Sequence, residues 1–169
     1  MATEPWELPD DKLIAQCRFE AFVGSGPGGQ KRHKTNAAVR YTHIPTGIHA
    51  VASDSRSQRE NKIHALRELR HKLAMEIRRP VADAINYSPP AWLVRDYSQL
   101  RINPKNPLYP AALAEVLDVL AASHQELPAA AAMLGVSARG LLRFCHDDPA
   151  VWEKLNRVRA ELGLKALRW

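Results

Sequence analysis

The stretch Gly24-Ser25-Gly26-Pro27-Gly28-Gly29-Gln30-Lys31-Arg32-His33-Lys34-Thr35 decides how the rest of the chain is read. Four glycines and a proline deny residues 24–30 a regular secondary structure. With so few side chains, the backbone N–H groups of such a loop can approach a crowded surface that any Cβ would block. Lys31, Arg32, His33 and Lys34 follow at once, then Arg40, with no acidic residue between. A bare backbone tip on a cationic base suits a narrow, phosphate-lined site. A phosphate-binding loop of another kind would have the same composition.

Outward from the loop, the first half reads as a small α/β unit. Between Ile14 and Val23, residues Cys17, Phe19, Ala21 and Val23 alternate with Arg18 and Glu20, the period of a half-buried strand. Ala37 to His43 continues as a second strand. Ile44-Pro45-Thr46-Gly47 has turn chemistry, and Ile48 to Ala52 returns as a third strand. Ser57 and Glu60 then have capping-box spacing. They open a helix whose stripe of Ile63, Leu66, Leu69, Leu73 and Ile77 runs up to Pro80.

Residues 80–110 hold six of the twelve prolines and read as a connecting arm. Trp92, Leu93, Val94 and Tyr97 are too apolar for a free linker, so the arm is expected to pack on something. The remainder is helical. A helix from Pro110 to Ala122 turns Leu113, Val116, Leu117 and Leu120 inward, and one from Pro128 to Leu134 stops at Gly135. Ser137 caps a third helix, through Cys145. Asp148 and Pro149 open a fourth, which ends at Gly163 with Trp152, Leu155, Val158 and Leu162 inward. The expected fold class is α+β. Residues 1–79 form the loop-bearing domain, 80–109 the proline-rich arm, and 110–169 a helical docking bundle with helix-turn-helix character.

With 46% apolar and 25% charged residues, the composition is that of a globular protein able to bury a core. No apolar stretch approaches a membrane span, and Met1 to Asp11 has neither a signal core nor a transit pattern, so a cytoplasmic, membrane-free address is expected. Cys17 and Cys145 are expected as free thiols. The net charge of +6 divides unevenly: residues 1–79 carry 14 Lys or Arg against 9 Asp or Glu, and residues 80–169 carry 10 against 9. A polyanion partner is therefore expected for the first half.

The loop residues, together with Lys34-Thr35, Ala38-Val39-Arg40, Thr42-His43-Ile44-Pro45-Thr46-Gly47-Ile48, Arg56-Ser57-Gln58, Asn61-Lys62 and Ala65, resemble the catalytic domain of bacterial class I peptide chain release factors over roughly residues 12–78. The resemblance implies hydrolysis of the ester that joins a peptide to P-site tRNA. In that family the backbone N–H of the glutamine, here Gln30, stabilises the oxyanion of the attacked carbonyl. Gly28 and Gly29 permit the loop conformation. The same resemblance implies contacts with ribosomal RNA or tRNA for Ser25, Gly26, Pro27, Lys31, Arg32, Lys34, Thr35, Arg40, Arg56, Gln58 and Lys62. It implies no metal and no cofactor, and allows methylation of Gln30. One departure stands out: the family has asparagine ahead of the lysine, where this chain has His33 with Lys31 and Arg32 before it.

Only about two dozen residues precede the loop, and Tyr87-Ser88-Pro89-Pro90 is no codon-reading tripeptide, so decoding is expected to be absent. A catalytic domain without a decoder resembles the stand-alone ribosome-rescue hydrolases. The partners then expected are the large ribosomal subunit and P-site peptidyl-tRNA for a monomeric chain, with the bundle docking on tRNA, ribosomal RNA or a ribosomal protein.

Two other readings stay open: a non-catalytic ribosome- or RNA-binding factor that retains the fold, and a helix-turn-helix regulator of DNA built on Ala129 to Phe144. Against the regulator stand the near-neutral charge of the second half and Gly140 within its reading helix. The histidines at 33, 43, 49, 64 and 71 lack a metal-ligand pattern. Cys145-His146 lacks a third member and an oxyanion site, which makes it a poor catalytic pair.

Overall fold

The computed structural model describes residues 3–23, 37–82, 85–93, 100 and 102–169. The fold is α+β, with a three-stranded antiparallel sheet, a long helix and a helical C-terminal region. It divides into two compact units, Met1–Glu76 and Ile77–Trp169.

In the first unit, β1 (Cys17–Phe22), β2 (Ala38–His43) and β3 (His49–Ala52) pair in the order β1-β2-β3. The β1–β2 ladder runs from Cys17 opposite His43 to Phe22 opposite Ala38. The β2–β3 turn closes with His43 and Ile48 hydrogen-bonded at 2.8 Å and Gly47 at φ +71°, a left-handed position that favours glycine. Helix α2 (Gln58–Glu76) packs on β2 and β3. Val39, Tyr41, Ala50 and Ala52 from the sheet meet Ala65, Leu66, Leu69, Leu73 and Ala74 in the core.

Three expectations for this unit change. The strand expected over Ile14 to Val23 is shorter, because Asp10–Ala15 forms a one-and-a-half-turn helix, α1, that buries Leu13. Six residues are too few to show a helical period in the sequence. Phe19 and Val23 are 40% and 44% exposed, since β1 is an edge strand and α2 covers the other two. On α2, Ile63 is 59% exposed, and the buried stripe starts instead from Asn61, at 0% exposure, followed by Ala65 and Leu69. The helix also ends at Glu76, leaving Ile77 beyond it.

The entry to α2 is a relayed form of the expected capping box. The Glu60 N–H donates to Ser57 Oγ at 3.3 Å, while the Ser57 N–H donates to Ser55 Oγ at 3.0 Å and Ser55 in turn donates to the Glu60 carboxylate. A 3-10 turn at Pro5–Glu7 buries Trp6, and Arg70 of α2 holds this segment through Trp6 O at 3.0 Å and the Asp10 carboxylate at 2.6 Å.

The second unit is built around α3 (Tyr109–Ala122), of which Leu113, Val116, Leu117 and Leu120 are buried as the periodicity predicts. Helices α4 (Leu127–Leu134), α5 (Ala138–His146) and α6 (Pro149–Glu161) follow within a residue or two of their expected bounds. Gly135 terminates α4 at φ +68°. Ser137 Oγ caps α5 by accepting from the Gly140 N–H, and Asp148 caps α6 by accepting from the Ala150 and Val151 N–H groups. The inward stripe of α6 falls on Val151 and Leu155, whereas Leu162, expected inside, is 59% exposed. Cys17 and Cys145 are free thiols. Among the described residues no helix is long and apolar enough to cross a membrane.

The proline-rich segment packs within this unit. Asp118, 2% exposed, accepts from Arg78 Nη1 at 2.9 Å, from the Arg79 backbone N–H at 2.9 Å and from Arg79 Nε at 3.0 Å. Tyr87 Oη donates to Glu115 at 2.5 Å, and Leu93 and Leu100 are buried. Trp92 is half-buried, while Val94 and Tyr97 lie outside the described residues. With Arg78 and Arg79 counted here, Met1–Glu76 and Ile77–Trp169 each carry 12 Lys or Arg against 9 Asp or Glu. Each unit is thus +3, so the positive excess does not collect in the first.

Candidate functional site: the glycine loop and its roots

Ser25, Gly26, Pro27, Gly28, Gly29, Gln30, Lys31, Arg32, Lys34 and Thr35 fall within residues 24–36 and so lie outside the described residues. The roots of their loop are defined. It leaves β1 after Phe22 and re-enters β2 at Ala38, and those two residues are cross-strand partners. The loop is therefore the hairpin connection of an antiparallel pair, with its ends fixed at neighbouring positions.

The exit root is held from outside the hairpin. Asn61 Nδ2 donates to Ala37 O at 2.7 Å and to Ser55 O at 2.8 Å, and Asn61 Oδ1 accepts from the Ser55 N–H at 3.0 Å. One fully buried amide thus serves two carbonyls and an N–H of part-buried backbone. It also ties Ala37, the residue just before β2, to Ser55 in the segment ahead of α2. Arg56, exposed, lies in the segment between Ser55 and α2, and Gln58 is the first residue of α2. In the sequence Asn61 stands within the Asn61-Lys62 motif without a role of its own. Its signal was a polar residue at the head of an otherwise apolar, buried i, i+4 series.

Arg40 and Lys62 are placed differently. Arg40 stands two residues into β2, its guanidinium 3.6 Å from the Glu20 carboxylate and 5.6 Å from the centre of the Phe22 ring. At that distance from Glu20 it is held loosely, and its side chain is 42% exposed, so a phosphate can compete for it. The Lys62 ammonium lies 4.7 Å from the centre of the Phe19 ring, which itself packs at 5.3 Å on Tyr41. That places Lys62 by the middle of β1, away from the loop roots.

His43 anchors the opposite end of the ladder. Nδ1 meets Thr46 Oγ1 at 2.8 Å and Nε2 meets Gln16 Oε1 at 3.1 Å, joining the β2–β3 turn to the end of α1. The side chain is buried, and desolvation lowers its pKa, so the imidazole is held neutral. With His43 at one end and Asn61 at the other, the hairpin beneath the loop is pinned at both extremities.

The remaining candidates separate from this region. Cys145 is fully buried and its thiol is pushed up to about 12 by desolvation, which removes it as a nucleophile. Among the described residues no group of three or more His, Cys, Asp or Glu is arranged to hold a metal ion.

A three-stranded antiparallel sheet under one long helix, with a glycine-rich segment ending in Gly-Gly-Gln between its first two strands, is the frame of the site. Residues 10–87 match the family model described as the RF-1 domain, and this part of the chain is an RF-1 domain, the catalytic domain type that contains Gly-Gly-Gln. A peptide chain release factor 2 of Saccharopolyspora erythraea is 41% identical over 93 residues, covering 53% of this chain and 24% of that protein. A peptide chain release factor 1 of Lawsonia intracellularis is 50% identical over 58 residues, 34% of this chain and 16% of that protein. A peptide chain release factor 1 of Anaplasma marginale is 44% identical over 69 residues, 41% of this chain and 19% of that protein. The chain therefore spans a quarter or less of the length of the release factors it matches. The RF-1 match runs eleven residues past Glu76, so its last stretch packs within the second structural unit.

Proposed function

We propose that this chain hydrolyses the ester of peptidyl-tRNA on ribosomes that present no stop codon, releasing the nascent peptide without reading a codon. The observation that carries the reading is the RF-1 match over residues 10–87, with Gly28-Gly29-Gln30 in the connection between two paired and doubly pinned strands. The backbone N–H of Gln30 stabilises the tetrahedral oxyanion, and its side-chain amide places water. Gly28 and Gly29 admit the backbone into the peptidyl transferase centre. No side chain of this protein attacks the carbonyl. The ribosomal RNA and the tRNA ribose complete the site, with no metal or cofactor, and Gln30 is a position for methylation.

Lys31, Arg32, Lys34 and Arg40 carry the loop base against RNA phosphates, with Ser25, Gly26, Pro27 and Thr35 lining its approach. Arg56 and Gln58 extend that contact from the turn tied to Ala37, and Lys62 adds a cation further along β1. The partners are the large-subunit RNA and P-site peptidyl-tRNA, met by a monomer in the cytoplasm. The test is single-turnover peptide release from ribosomes on stop-free, truncated mRNA and from isolated large subunits. Gly29→Ala should slow release by about 100-fold or more with unchanged melting temperature, the scale of losing a fixed oxyanion donor. No release by the wild type would replace this reading with that of a non-catalytic ribosome-binding factor, and equal release by wild type and Gly29→Ala would remove the glycine loop from the mechanism.

A further inference from the structure

Within the second unit the positive charge is not spread evenly. Residues 77–136 carry five Lys or Arg and five Asp or Glu, whereas residues 137–169 carry seven against four. Arg78 and Arg79 are spent on Asp118 and Glu115. Arg139, Arg157, Lys165 and Arg168 have no carboxylate within 4.0 Å among the described residues.

Arg139, with Arg143, leads to an unusual aromatic arrangement. Arg139, Arg143 and His146 recur along α5 at helical spacing and share one face. Arg143 lies 3.6 Å from Asp147, but both side chains are more than half exposed, so the pair restrains it little. At the end of this face the His146 ring is stacked on Trp169 at 4.6 Å and 12°, with the Trp152 ring edge-on to it at 5.1 Å and 81°.

Trp169 is delivered there by a segment with no regular secondary structure that is nonetheless fixed at three points. The Leu164 N–H donates to Arg159 O at 2.8 Å, Arg159 Nε donates to Lys165 O at 2.8 Å, and the Leu167 N–H donates to Asn156 Oδ1 at 2.7 Å. Arg159 is itself anchored by donating to Gln125 O at 2.5 Å. The outcome is an indole lying flat on an imidazole, held in register, with 62% of the residue exposed. Burying that ring elsewhere would be favourable, yet the pinned backbone keeps it presented to solvent, stacked on His146 of the α5 face that carries Arg139 and Arg143.

We propose that the His146–Trp169 stack is a binding site for an unpaired nucleotide. The base continues the stack on the outer face of the indole, and its flanking phosphates are met by Arg143 and Arg139 of α5 and by Arg168. Aromatic stacking is sequence-tolerant, so the site takes an unstructured strand and not a particular sequence. A duplex keeps its base faces inside the helix and cannot use the stack. That distinguishes the site from a groove-reading helix-turn-helix, whose reading helix would be α5. The choice of RNA over DNA rests on the proposed function.

The test uses the full chain with Lys31, Arg32 and Lys34 replaced by Ala, which removes the loop cations as competing RNA contacts. The probe is a labelled, unstructured 12-nucleotide RNA, followed by anisotropy and by quenching of tryptophan fluorescence. Trp169→Ala should weaken binding about tenfold or more and abolish most of the quench, while Trp169→Tyr recovers most of the affinity. Arg139→Ala with Arg143→Ala should flatten the salt dependence of binding. Unchanged affinity in Trp169→Ala, or tighter binding of the base-paired form of the same oligonucleotide, would overturn the site. Tighter binding of the DNA 12-mer would overturn its assignment to RNA. No ribosome or peptidyl-tRNA is present, so a failure of peptide release leaves this measurement standing, and its failure leaves peptide release standing.

Discussion

The two units solve the problem of small size in opposite ways. Ile77–Trp169 wraps an apolar helix, α3, from several sides, and Leu113, Val116 and Val119 are each fully buried. Among the described residues, Met1–Glu76 has a three-stranded sheet under one long helix, and its connections are held by single polar side chains reaching far along the chain: Asn61 to Ala37, His43 to Gln16, Arg70 to Trp6. An apolar core tolerates exchange of one hydrophobic group for another at modest cost. A polar pin tolerates almost none, because removing it leaves enclosed partners unsatisfied. The unit that carries the glycine loop is thus the one whose strand connections depend on individual hydrogen bonds.

The sharpest way to break this contrast is Asp118, a buried carboxylate of the second unit. Asp118→Ala leaves Arg78 and Arg79 facing a low-dielectric wall without their shared partner. Removing one member of such an arrangement costs about 3 kcal/mol, the low end for buried pairs because both guanidinium groups are about one-third exposed. Urea unfolding should show the loss in the transition of the second unit alone. If both units shifted together, the effect of Asp118 would not be confined to its own unit.

The complementary change in the first unit is Asn61→Ala. It strands Ala37 O, Ser55 O and the Ser55 N–H, and should cost about 2 kcal/mol. Because Ala37 borders the loop, peptide release from fully folded protein should also slow, through kcat more than KM. Asn61→Asp separates the two effects: it keeps the shape and the acceptor for Ser55 but removes both donors and sets a negative charge against two carbonyls. Release that simply tracks the folded fraction in both variants would reduce Asn61 to a stability element.

The same contrast explains what could be read without coordinates. Helices of the second unit announce themselves by period and by caps, so Gly135, Ser137 and Asp148 mark their ends to within a residue. The hairpin is legible for the same reason, through alternation and the Ile44–Gly47 turn. Periodicity fails where a face is set by tertiary cover. Ile63 fits an apolar stripe, yet the covered face of α2 is chosen by Asn61, whose partners lie 24 and 6 residues away. Charge was misread at the boundary for a related reason. Arg78 and Arg79 look like the basic end of a nucleic-acid domain until Asp118, about 40 residues on, accounts for them. The Trp169 stack was invisible because it requires a backbone path that no local pattern encodes. The loop chemistry was legible only through family likeness.

The smallest effect tests the pins against pH. Burial holds the His43 imidazole neutral and lowers its pKa, so the unfolded chain binds this proton more readily than the folded one. The resulting stability is fully present above the ordinary histidine range and is lost as pH falls through it toward the lowered value. The first unit should therefore weaken on acidification from neutrality, with the second unit unaffected by this group. His43→Gln can still reach Thr46 or Gln16 but cannot take up a proton in this range. Its absolute stability at neutral pH is lower, yet the slope of stability against pH should be shallower than in the wild type. The slope is the decisive quantity: an identical pH slope in His43→Gln would mean that the ring is exchanging protons as freely in the fold as out of it, and that the far end of the hairpin is not pinned by a neutral imidazole.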